Sequence, residues 1–394
     1  MINREMKDLG TRRSTIRELF EFGKAMKERI GAENVFDFSL GNPSTPPPAE
    51  VTETMVKLLT QTEPCSLHGY SSAQGDKVAR EKIAEDLALR YGAKISPDKI
   101  YMTCGAAASL CITLRSLITD DHNNFAVQAP YFPEYKVFVQ SMGGELTVVD
   151  ADTESFELNI EGFKKTITEK TQAVIVNSPN NPSGVIYSEE SLASLGKLLK
   201  EKSEEYGHPI YIISDEPYRE LTYGKKVPYI PDIYPNTIIC YSFSKSLSLP
   251  GERIGYIAVP EGVCDADDIY FTVCGSGRSL GYVCAPTMMQ RTVAECAGMS
   301  SDISVYRRNR DTLYSALTAM GYRCIQPDGA FYLFVEAPGG DAVAFSEKAK
   351  ELGLLVVPGD DFGCPGYLRI SYCVSEQTVK NSLVAFGNAK DLFK

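Results

Sequence analysis

The sequence contains no tryptophan and only three histidines among its 394 residues. The histidines are His68, His122 and His208, so histidine-based acid–base chemistry is restricted to three positions. The eleven cysteines form no Cys-x-x-Cys pair, and their scattered spacing is not that of a metal site. We therefore expect no bound metal and interpret the cysteines as reduced thiols.

Long apolar runs and an excess of basic residues are also missing. No run approaches the roughly 18 apolar residues of a membrane helix, and residues 1–7 lack the apolar stretch of a signal peptide. The 40 Lys and Arg residues are outnumbered by 51 Asp and Glu residues, which gives a net charge of −11. Because nucleic acids and anionic lipid surfaces attract basic proteins, we expect neither as a partner. These absences together predict a soluble cytoplasmic protein.

Short apolar runs rich in Ile, Val and Tyr alternate with helix-like segments between residues 99 and 258. Seven of these runs predict strands, at Lys99–Thr103, Asn124–Gln128, Glu145–Val149, Ala173–Asn177, Ile210–Asp215, Thr237–Ser242 and Ile254–Val259. Between them, segments such as Ser188–Tyr206 place leucines on one side and acidic residues in the first turn, which is typical of an amphipathic helix. Strands joined by helices predict an α/β fold with a mostly parallel sheet.

The flanking segments predict further helices and a second, smaller domain. Helices are expected at Thr15–Ile30, Gln74–Tyr91, Asp341–Leu352 and Ser375–Leu392, with a long helix at Ala285–Met320. Strands are expected at Tyr322–Ile325, Ala330–Val335, Leu354–Val357 and Tyr367–Tyr372. We predict a large domain over residues 46–285 and a small α+β domain built from residues 1–45 and 286–394.

Four of the predicted strands end in clusters of polar or small residues. The clusters are Cys104 to Ser109, Asn177 to Gly184, Ser214 to Tyr218, and Ser242 to Ser246 followed by Arg253. Each has a structural interpretation when taken alone, as a helix cap, a turn or a solvated lysine. However, ligands of open parallel sheets bind beyond the carboxyl ends of the strands. The convergence of four such endings therefore favours a ligand site at this edge.

The order of these motifs resembles that of the class I/II aminotransferase family, the aspartate aminotransferase-like fold type I enzymes that depend on pyridoxal 5′-phosphate. Four motifs carry the resemblance, namely Ser242-Phe243-Ser244-Lys245 with Arg253, Asn181-Pro182-Ser183-Gly184, Asp215-Glu216-Pro217-Tyr218 and Leu368-Arg369-Ile370-Ser371. It spans essentially the whole chain. It implies a fold type I PLP-transferase, with a large domain around a mostly parallel seven-stranded sheet and a smaller α+β C-terminal domain.

The resemblance also implies roles for residues around the cofactor ring. Lys245 would form the internal aldimine and then move the proton of the substrate, since a desolvated lysine acts as both nucleophile and base. Asp215 would pair with the ring nitrogen, which must stay protonated for the ring to accept electrons. Asn181 and Tyr218 would donate hydrogen bonds to the ring oxygen. Phe132 would stack on the ring, although a core aromatic is the alternative interpretation.

A second set of residues would bind the cofactor phosphate. The backbone of Gly105, Ala106 and Ala107 begins a helix, where N–H groups and the helix dipole favour an anion. By the same resemblance, Ser242, Ser244 and the guanidinium of Arg253 would complete the phosphate site. Tyr70 would reach the same phosphate from a partner subunit, which implies a homodimer.

A third set would bind the substrate. The resemblance implies that Arg369 binds the α-carboxylate, with Asn181 beside it and Gly41 admitting the substrate because glycine has no side chain. Arg278 lies near the position where aspartate-specific relatives carry an arginine for the distal carboxylate. A surface arginine on a glycine-rich loop is the alternative, and the many tyrosines could instead build an aromatic pocket.

We therefore predict a PLP-dependent aminotransferase that works on an L-amino acid and a 2-oxo acid by a ping-pong mechanism. Aspartate and 2-oxoglutarate are one candidate pair. Because a fold does not fix a reaction, a C–S β-lyase or a decarboxylase on the same fold stays open. A PLP-binding regulator without turnover is the alternative of another class.

Overall fold

The computed structural model describes residues 1–11 and 14–393. Arg12, Arg13 and Lys394 belong to the predicted small domain but lie outside the described residues. The chain divides into two compact units, which we call the larger unit and the smaller unit. The larger unit is Thr45–Asn180 with Val185–Asp302, and the smaller unit is Met1–Ser44, Asn181–Gly184 and Ile303–Lys394.

The described residues contain twelve strands, which we number in chain order. They are β1 Phe36–Asp37, β2 Ile100–Thr103, β3 Asn124–Gln128, β4 Glu145–Val149, β5 Thr171–Asn177, β6 Tyr211–Asp215, β7 Thr237–Ser242, β8 Gly255–Ala258, β9 Tyr332–Glu336, β10 Leu354–Leu355, β11 Val357–Pro358 and β12 Tyr367–Ser371.

The same residues contain sixteen α-helices. They are α1 Arg4–Thr11, α2 Thr15–Ile30, α3 Ala49–Gln61, α4 Pro64–His68, α5 Lys77–Tyr91, α6 Ala106–Leu117, α7 Glu134–Ser141, α8 Ile160–Thr166, α9 Glu189–Tyr206, α10 Ile230–Ile233, α11 Phe243–Ser246, α12 Ala266–Ser279, α13 Thr287–Glu295, α14 Ser304–Ala319, α15 Ala342–Glu351 and α16 Glu376–Asp391. No helix within the described ranges is long and apolar enough to cross a membrane.

The larger unit is built on a seven-stranded sheet in the order β2-β8-β7-β6-β5-β3-β4. All neighbours are parallel except β8, which runs antiparallel to both β2 and β7. Every residue of β6 is buried, because helices cover both faces of a parallel sheet. The predicted α/β class with a mostly parallel seven-stranded sheet is thus confirmed.

Helix α9 shows how the sequence sets the bounds of these elements. The Ser188 hydroxyl accepts a hydrogen bond from the Ser191 N–H (3.2 Å) and caps the helix, while Gly207 ends it in the left-handed region at φ 76°. The buried leucines of α9 fall on one face, as the predicted helix Ser188–Tyr206 requires.

The smaller unit contains two small sheets. Strands β11, β12 and β9 form a three-stranded antiparallel sheet, and β1 pairs with β10 in parallel. The predicted strand Leu354–Val357 is divided between the two sheets as β10 and β11. The α+β character expected for this part of the chain is present.

Two predicted elements are wrong. The long helix Ala285–Met320 is instead α13 and α14, separated by a segment in which Gly298 adopts φ 83°, a conformation that no helix accommodates. The predicted strand Tyr322–Ile325 is reduced to one antiparallel bridge between Cys324 and Val335.

The compact units also divide at a different position from the predicted domain boundary near residue 285. Residues 285–302 belong to the larger unit. The reason is that Met289 and Val293 of α13 pack into the same core cluster as Ile83 and Leu87 of α5. In addition, Asn181–Gly184 belong to the smaller unit although the segments on either side belong to the larger one.

Candidate active site

The polar strand ends of the larger unit lie along one edge of its sheet. Thr103 at the end of β2 and Ser242 at the end of β7 both pair with Gly255 of β8. Asn177 at the end of β5 pairs with Asp215 at the end of β6, and the Asn177 amide donates to the Asp215 carbonyl (2.9 Å). The prediction that these four strand ends share one edge is confirmed by this register.

Asp215 is a buried carboxylate whose two oxygens differ in their hydrogen bonding. Its Oδ2 accepts a hydrogen bond of 2.5 Å from the Tyr135 hydroxyl. Its Oδ1 is buried and has no hydrogen-bond partner among the described residues. Burial raises the pKa of Asp215 to about 7, the Tyr135 hydrogen bond opposes that rise, and the nearby Glu216 carboxylate adds to it. A cationic group facing Oδ1 would stabilise the ionised form.

Tyr135 is a site residue that the sequence reasoning missed. It lies in the first turns of α7, three positions after Phe132, and the two rings meet edge to face with centroids 5.6 Å apart. This helical spacing from an aromatic site candidate is the only signal that could have identified it. Burial and the Asp215 charge raise the pKa of Tyr135, so its hydroxyl keeps its proton and stays a donor.

Lys245 lies in α11, the short helix that directly follows β7. Ser242 caps this helix, since its hydroxyl accepts from the Ser244 N–H (3.1 Å) and lies 2.7 Å from the Ser244 hydroxyl. Both serines are buried, whereas Lys245 is half-buried. The cap fixes the first turn of α11 and therefore the position from which the lysine side chain projects.

Arg253 lies over the beginning of α6. A Cβ built on Gly105, which adopts φ 86°, would stand 3.1 Å from Nη2 and 3.3 Å from Cζ of Arg253. Gly105 precedes the first helical residues, Ala106 and Ala107, which are half-buried. A guanidinium and the backbone N–H groups of a helix start thus lie side by side, an arrangement that binds phosphate.

The other predicted residues of the larger unit have different surroundings. Tyr218 is buried just after β6 and Phe132 is half-buried, whereas Tyr70 is 97% exposed. Arg278 is exposed in the last turn of α12 and makes no ion pair with a described residue. The structure therefore places Tyr70 and Arg278 on the surface of the larger unit.

A buried ionic cluster follows the site aspartate and was not predicted. The Arg219 side chain is 3% exposed and pairs with Glu216 (2.9 Å) and Glu220 (3.2 Å). Its guanidinium also lies 4.3 Å from the ring centroid of Tyr241. Glu216 in turn accepts from the Ser214 hydroxyl (2.7 Å), so the cluster ties together both ends of the turn that carries Asp215 and Tyr218.

Arg369 is the centre of the candidate site in the smaller unit. It lies in β12, is 2% exposed, and its Nη2 donates to the Ser39 carbonyl (2.5 Å). Its Nη1 donates to Oδ1 of Asn181 (3.3 Å). The rings of Tyr332 and Phe362 lie 4.8 and 4.9 Å from its Cζ. These contacts set the plane of a guanidinium, the group best suited to bind a carboxylate through two parallel hydrogen bonds.

The structure gives a reason for glycine at position 41 that is independent of the predicted approach of the substrate. A Cβ at this position would collide with the Tyr332 hydroxyl and would stand 2.9 Å from the ring carbon that carries it. The absence of a side chain is thus required by Tyr332, a neighbour within the smaller unit. The sequence predicted glycine here because the substrate needs room, and it did not indicate Tyr332.

The arrangement in the larger unit fits the pyridoxal phosphate that the sequence implies. Oδ1 of Asp215, which has no hydrogen-bond partner within the described part of the chain, suits a protonated ring nitrogen, and the Arg253 guanidinium beside Gly105 suits a phosphate. Asn181 uses its oxygen to accept from Arg369, so the other hydrogen-bonding groups of that amide are donors.

Comparisons with known proteins agree with this geometry. A family model for aminotransferases of class I and II matches residues 33–386. A solved amino transferase from Eubacterium rectale is 52% identical and superposes with a TM-score of 0.98, over 100% of this chain and 99% of that one. The aspartate/prephenate aminotransferase of Thermus thermophilus is 30% identical over 92% of this chain and 93% of its own. The aspartate aminotransferase of Thermus thermophilus solved with maleate is 27% identical, with a TM-score of 0.86 over 99% of both chains.

Proposed function

This chain belongs to the class I and II aminotransferase family, and from that premise we propose that it moves the amino group of an L-amino acid to a 2-oxo acid in two half-reactions of a ping-pong cycle. It is a PLP-dependent transaminase of fold type I, as the sequence predicted. The observation that carries the proposal is the buried Oδ1 of Asp215, at the sheet edge where β7 leads into Lys245.

Asp215 holds the cofactor ring in the protonated form. The chemistry that pyridoxal phosphate supplies when bound is an aldehyde that takes up the amino group and a protonated ring that accepts electrons. A cation facing Oδ1 lowers the pKa of Asp215 from about 7, so the carboxylate is ionised in the loaded protein. The Tyr135 hydrogen bond to Oδ2 supports the same ionised form.

Lys245 is the residue that moves a proton, since a partly desolvated lysine can act as a general base and then as a general acid at Nζ. It would take the proton from the substrate Cα and later return it. Tyr218 and the amide N–H of Asn181 would donate to the ring oxygen. Phe132 would stack on the ring, supported by its edge-to-face contact with Tyr135, which holds its ring in place.

The phosphate would be bound by the backbone of Gly105, Ala106 and Ala107, by the Ser242 and Ser244 hydroxyls, and by Arg253. The proximity of the Arg253 guanidinium to Gly105 supports this assignment. We propose that Tyr70 reaches the phosphate of a second subunit in a homodimer, and its 97% exposure is compatible with that role.

Arg369 would bind the substrate α-carboxylate, and we propose aspartate and 2-oxoglutarate as the first pair to test. The relatives named as aspartate aminotransferases support this choice, as does the maleate, a dicarboxylate, in the solved Thermus thermophilus relative. Arg278 would then bind the distal carboxylate, and the guanidinium has no ion-pair partner among the described residues to compete.

We further propose that the larger unit, Thr45–Asn180 with Val185–Asp302, serves as the cofactor-binding domain, and the smaller unit as the domain that carries the carboxylate-binding arginine. A cytoplasmic location is proposed with them, and cell fractionation tests it.

The experiment that tests the function is a screen of amino donors that follows the visible absorption of the bound cofactor. With a productive donor the absorption changes, and a 2-oxo acid restores it. Lys245→Ala should lose turnover and covalent attachment of the cofactor, whereas the exposed Lys226→Ala should retain both. A Lys245→Ala protein that transaminates at the normal rate would refute the proposal.

The same screen separates the other reactions. Release of ammonia and pyruvate without amino transfer would identify a C–S β-lyase, and release of carbon dioxide a decarboxylase. A protein that binds the cofactor but exchanges with no donor would be a regulator.

A further inference from the structure

We propose that Asp37 is a positioning residue for substrate binding, because it fixes the backbone carbonyl that orients Arg369. The inference rests on the proposed function, in which Arg369 binds the substrate carboxylate. Asp37 lies in β1, away from the sequence motifs that identify the site, and its side chain is 10% exposed. All of the contacts involved lie within the smaller unit.

The link between Asp37 and Arg369 consists of hydrogen bonds through one residue. Oδ1 of Asp37 accepts from the Ser39 N–H (3.1 Å) and from the Ser39 hydroxyl (2.6 Å). The carbonyl of the same Ser39 accepts from Nη2 of Arg369 (2.5 Å). Ser39 is fully buried, so water cannot replace these bonds at no cost.

The backbone around Ser39 is held from the same side by β12. The Ser371 N–H donates to the Phe38 carbonyl (3.0 Å), and the Ser371 hydroxyl donates to the Leu40 carbonyl (3.2 Å). Three consecutive carbonyls, of residues 38, 39 and 40, thus accept from side chains or backbone of Arg369 and Ser371. Residues 38–40 therefore hold the side chain of Arg369 in one orientation.

Asp37 links residues 38–40 to helix α2. Its second oxygen, Oδ2, pairs with Lys27 of α2 (3.2 Å). Gly23, one turn earlier in α2, leaves room for this approach, since a Cβ there would stand 3.0 Å from Oδ2. Helix α2 therefore packs directly against the carboxylate, which keeps Oδ1 directed at Ser39.

The consequence for binding follows from the geometry of a guanidinium. A carboxylate binds arginine best through two parallel hydrogen bonds, which requires one orientation of the guanidinium plane. Without Asp37, the 39–40 backbone can rotate, and Arg369 keeps its charge but loses that orientation. The affinity for substrates that carry a carboxylate should fall, and the affinity for amines without a carboxylate should not change.

The test compares donors with and without the carboxylate. Asp37→Ala, Asp37→Asn and wild-type holoenzyme are given the best amino acid of the donor screen and the amine obtained by decarboxylating it. We expect Asp37→Ala to raise KM for the amino acid about five- to tenfold, the loss of one or two buried hydrogen bonds, with kcat and the rate with the amine nearly unchanged. Asp37→Asn keeps an acceptor for Ser39 and should restore most of the loss.

Asp341→Ala is the matched control. The Asp341 carboxylate also accepts a backbone hydrogen bond, from the Ala344 N–H (2.9 Å) in the smaller unit, but it caps α15 and has no bond to Ser39 or Arg369. It should lower Tm without changing the preference for the amino acid over the amine. Calorimetry of the corresponding 2-oxo acid with apoenzyme gives a readout without turnover, and affinity should fall by the same factor in Asp37→Ala.

Two results overturn the inference. An Asp37→Ala protein with wild-type KM shows that Asp37 does not position Arg369, and equal losses with the amino acid and the amine show a purely structural role. Failure of the proposed function is distinguishable, because wild type would then transfer no amino group. If wild type is active and Arg369→Lys loses the preference while Asp37→Ala keeps it, only the positioning role fails.

Discussion

Replacing Tyr135 by Phe should raise the pKa of Asp215 in the apoenzyme. The hydroxyl of Tyr135 makes a 2.5 Å hydrogen bond to a fully buried carboxylate whose other oxygen has no partner among the described residues. A hydrogen bond to a charged group contributes about 1.5–3 kcal/mol. Because one pKa unit corresponds to about 1.4 kcal/mol, the pKa of Asp215 should rise from about 7 to roughly 8–9.

The pH dependence of ligand binding reports this shift. Pyridoxine 5′-phosphate lacks the aldehyde and cannot bond covalently to Lys245, so its affinity for apoenzyme depends on the ring nitrogen and the phosphate. Ionised Asp215 favours a protonated ring, and affinity should therefore increase as pH rises through the pKa of Asp215. The same measurement on Asp215→Asn gives the pH dependence that comes from titration of the ligand itself, and this is subtracted from the wild-type curve. The midpoint should lie near pH 7 in wild type and one to two units higher in Tyr135→Phe.

Tyr270→Phe is the control for loss of a buried phenol. Tyr270 belongs to the same core cluster as Tyr135, but its hydroxyl donates to the Ile100 carbonyl (3.0 Å). Its removal should leave the midpoint where it is in wild type. A midpoint in Tyr135→Phe within half a unit of the wild-type value, about 0.7 kcal/mol, would refute the reasoning, because the phenol would then not stabilise the ionised carboxylate.

Three further predictions concern stability. Arg219→Leu leaves the buried Glu216 carboxylate without its cation and leaves Glu220 with the more distant Arg90 (3.8 Å), so it should cost about 3–5 kcal/mol in urea unfolding. Arg323→Ala, which breaks the exposed pair with Glu336, should cost less than about 1 kcal/mol. Equal costs would contradict the burial argument. Gly41→Ala should lower the free energy of unfolding by about 1–3 kcal/mol because its Cβ collides with Tyr332. Adding Tyr332→Phe, which removes the colliding oxygen, should restore part of the lost stability. No recovery in the double variant would show that the collision is relieved elsewhere. Burial raises the pKa of Asp215 from 3.8 to about 7, so neutral Asp215 stabilises the folded apoenzyme below pH 4 and this stabilisation is lost as the pH rises to 7. The free energy of unfolding of wild type should therefore fall by about 4 kcal/mol relative to that of Asp215→Asn over this range. Parallel pH profiles of the two proteins would contradict the assignment.

The sheet and its polar edge were predictable because their signals are local. Strands β3 and β7, which are buried at every residue, lie at the predicted residues, since a buried strand needs a continuous run of β-branched and aromatic residues. Asp215 and Ser242 follow such runs directly, so their placement at one edge needs only the parallel order of the strands.

Other features depend on contacts between residues distant in the chain. The Tyr135–Asp215 hydrogen bond spans 80 positions and the Arg369–Ser39 hydrogen bond spans 330, and neither motif indicates its partner. The collision that excludes a side chain at Gly41 comes from Tyr332, which lies 291 positions away in the chain. The segment between α13 and α14 contains Gly298 in a non-helical conformation, but a glycine costs a helix only about 1 kcal/mol and is therefore a weak signal in a sequence.

The composition of the smaller unit has a consequence for biosynthesis. Ribosomes release a chain from its N-terminus, and domains tend to fold in that order. Residues 1–44 and 181–184 emerge long before residues 303–394, with which they form one unit. The larger unit ends at residue 302 and can complete its fold while the ribosome is still translating. Strand β1 must wait for β10, its only sheet neighbour among the described residues, so the segment that carries Asp37 and Ser39 is ordered late in the life of the nascent chain.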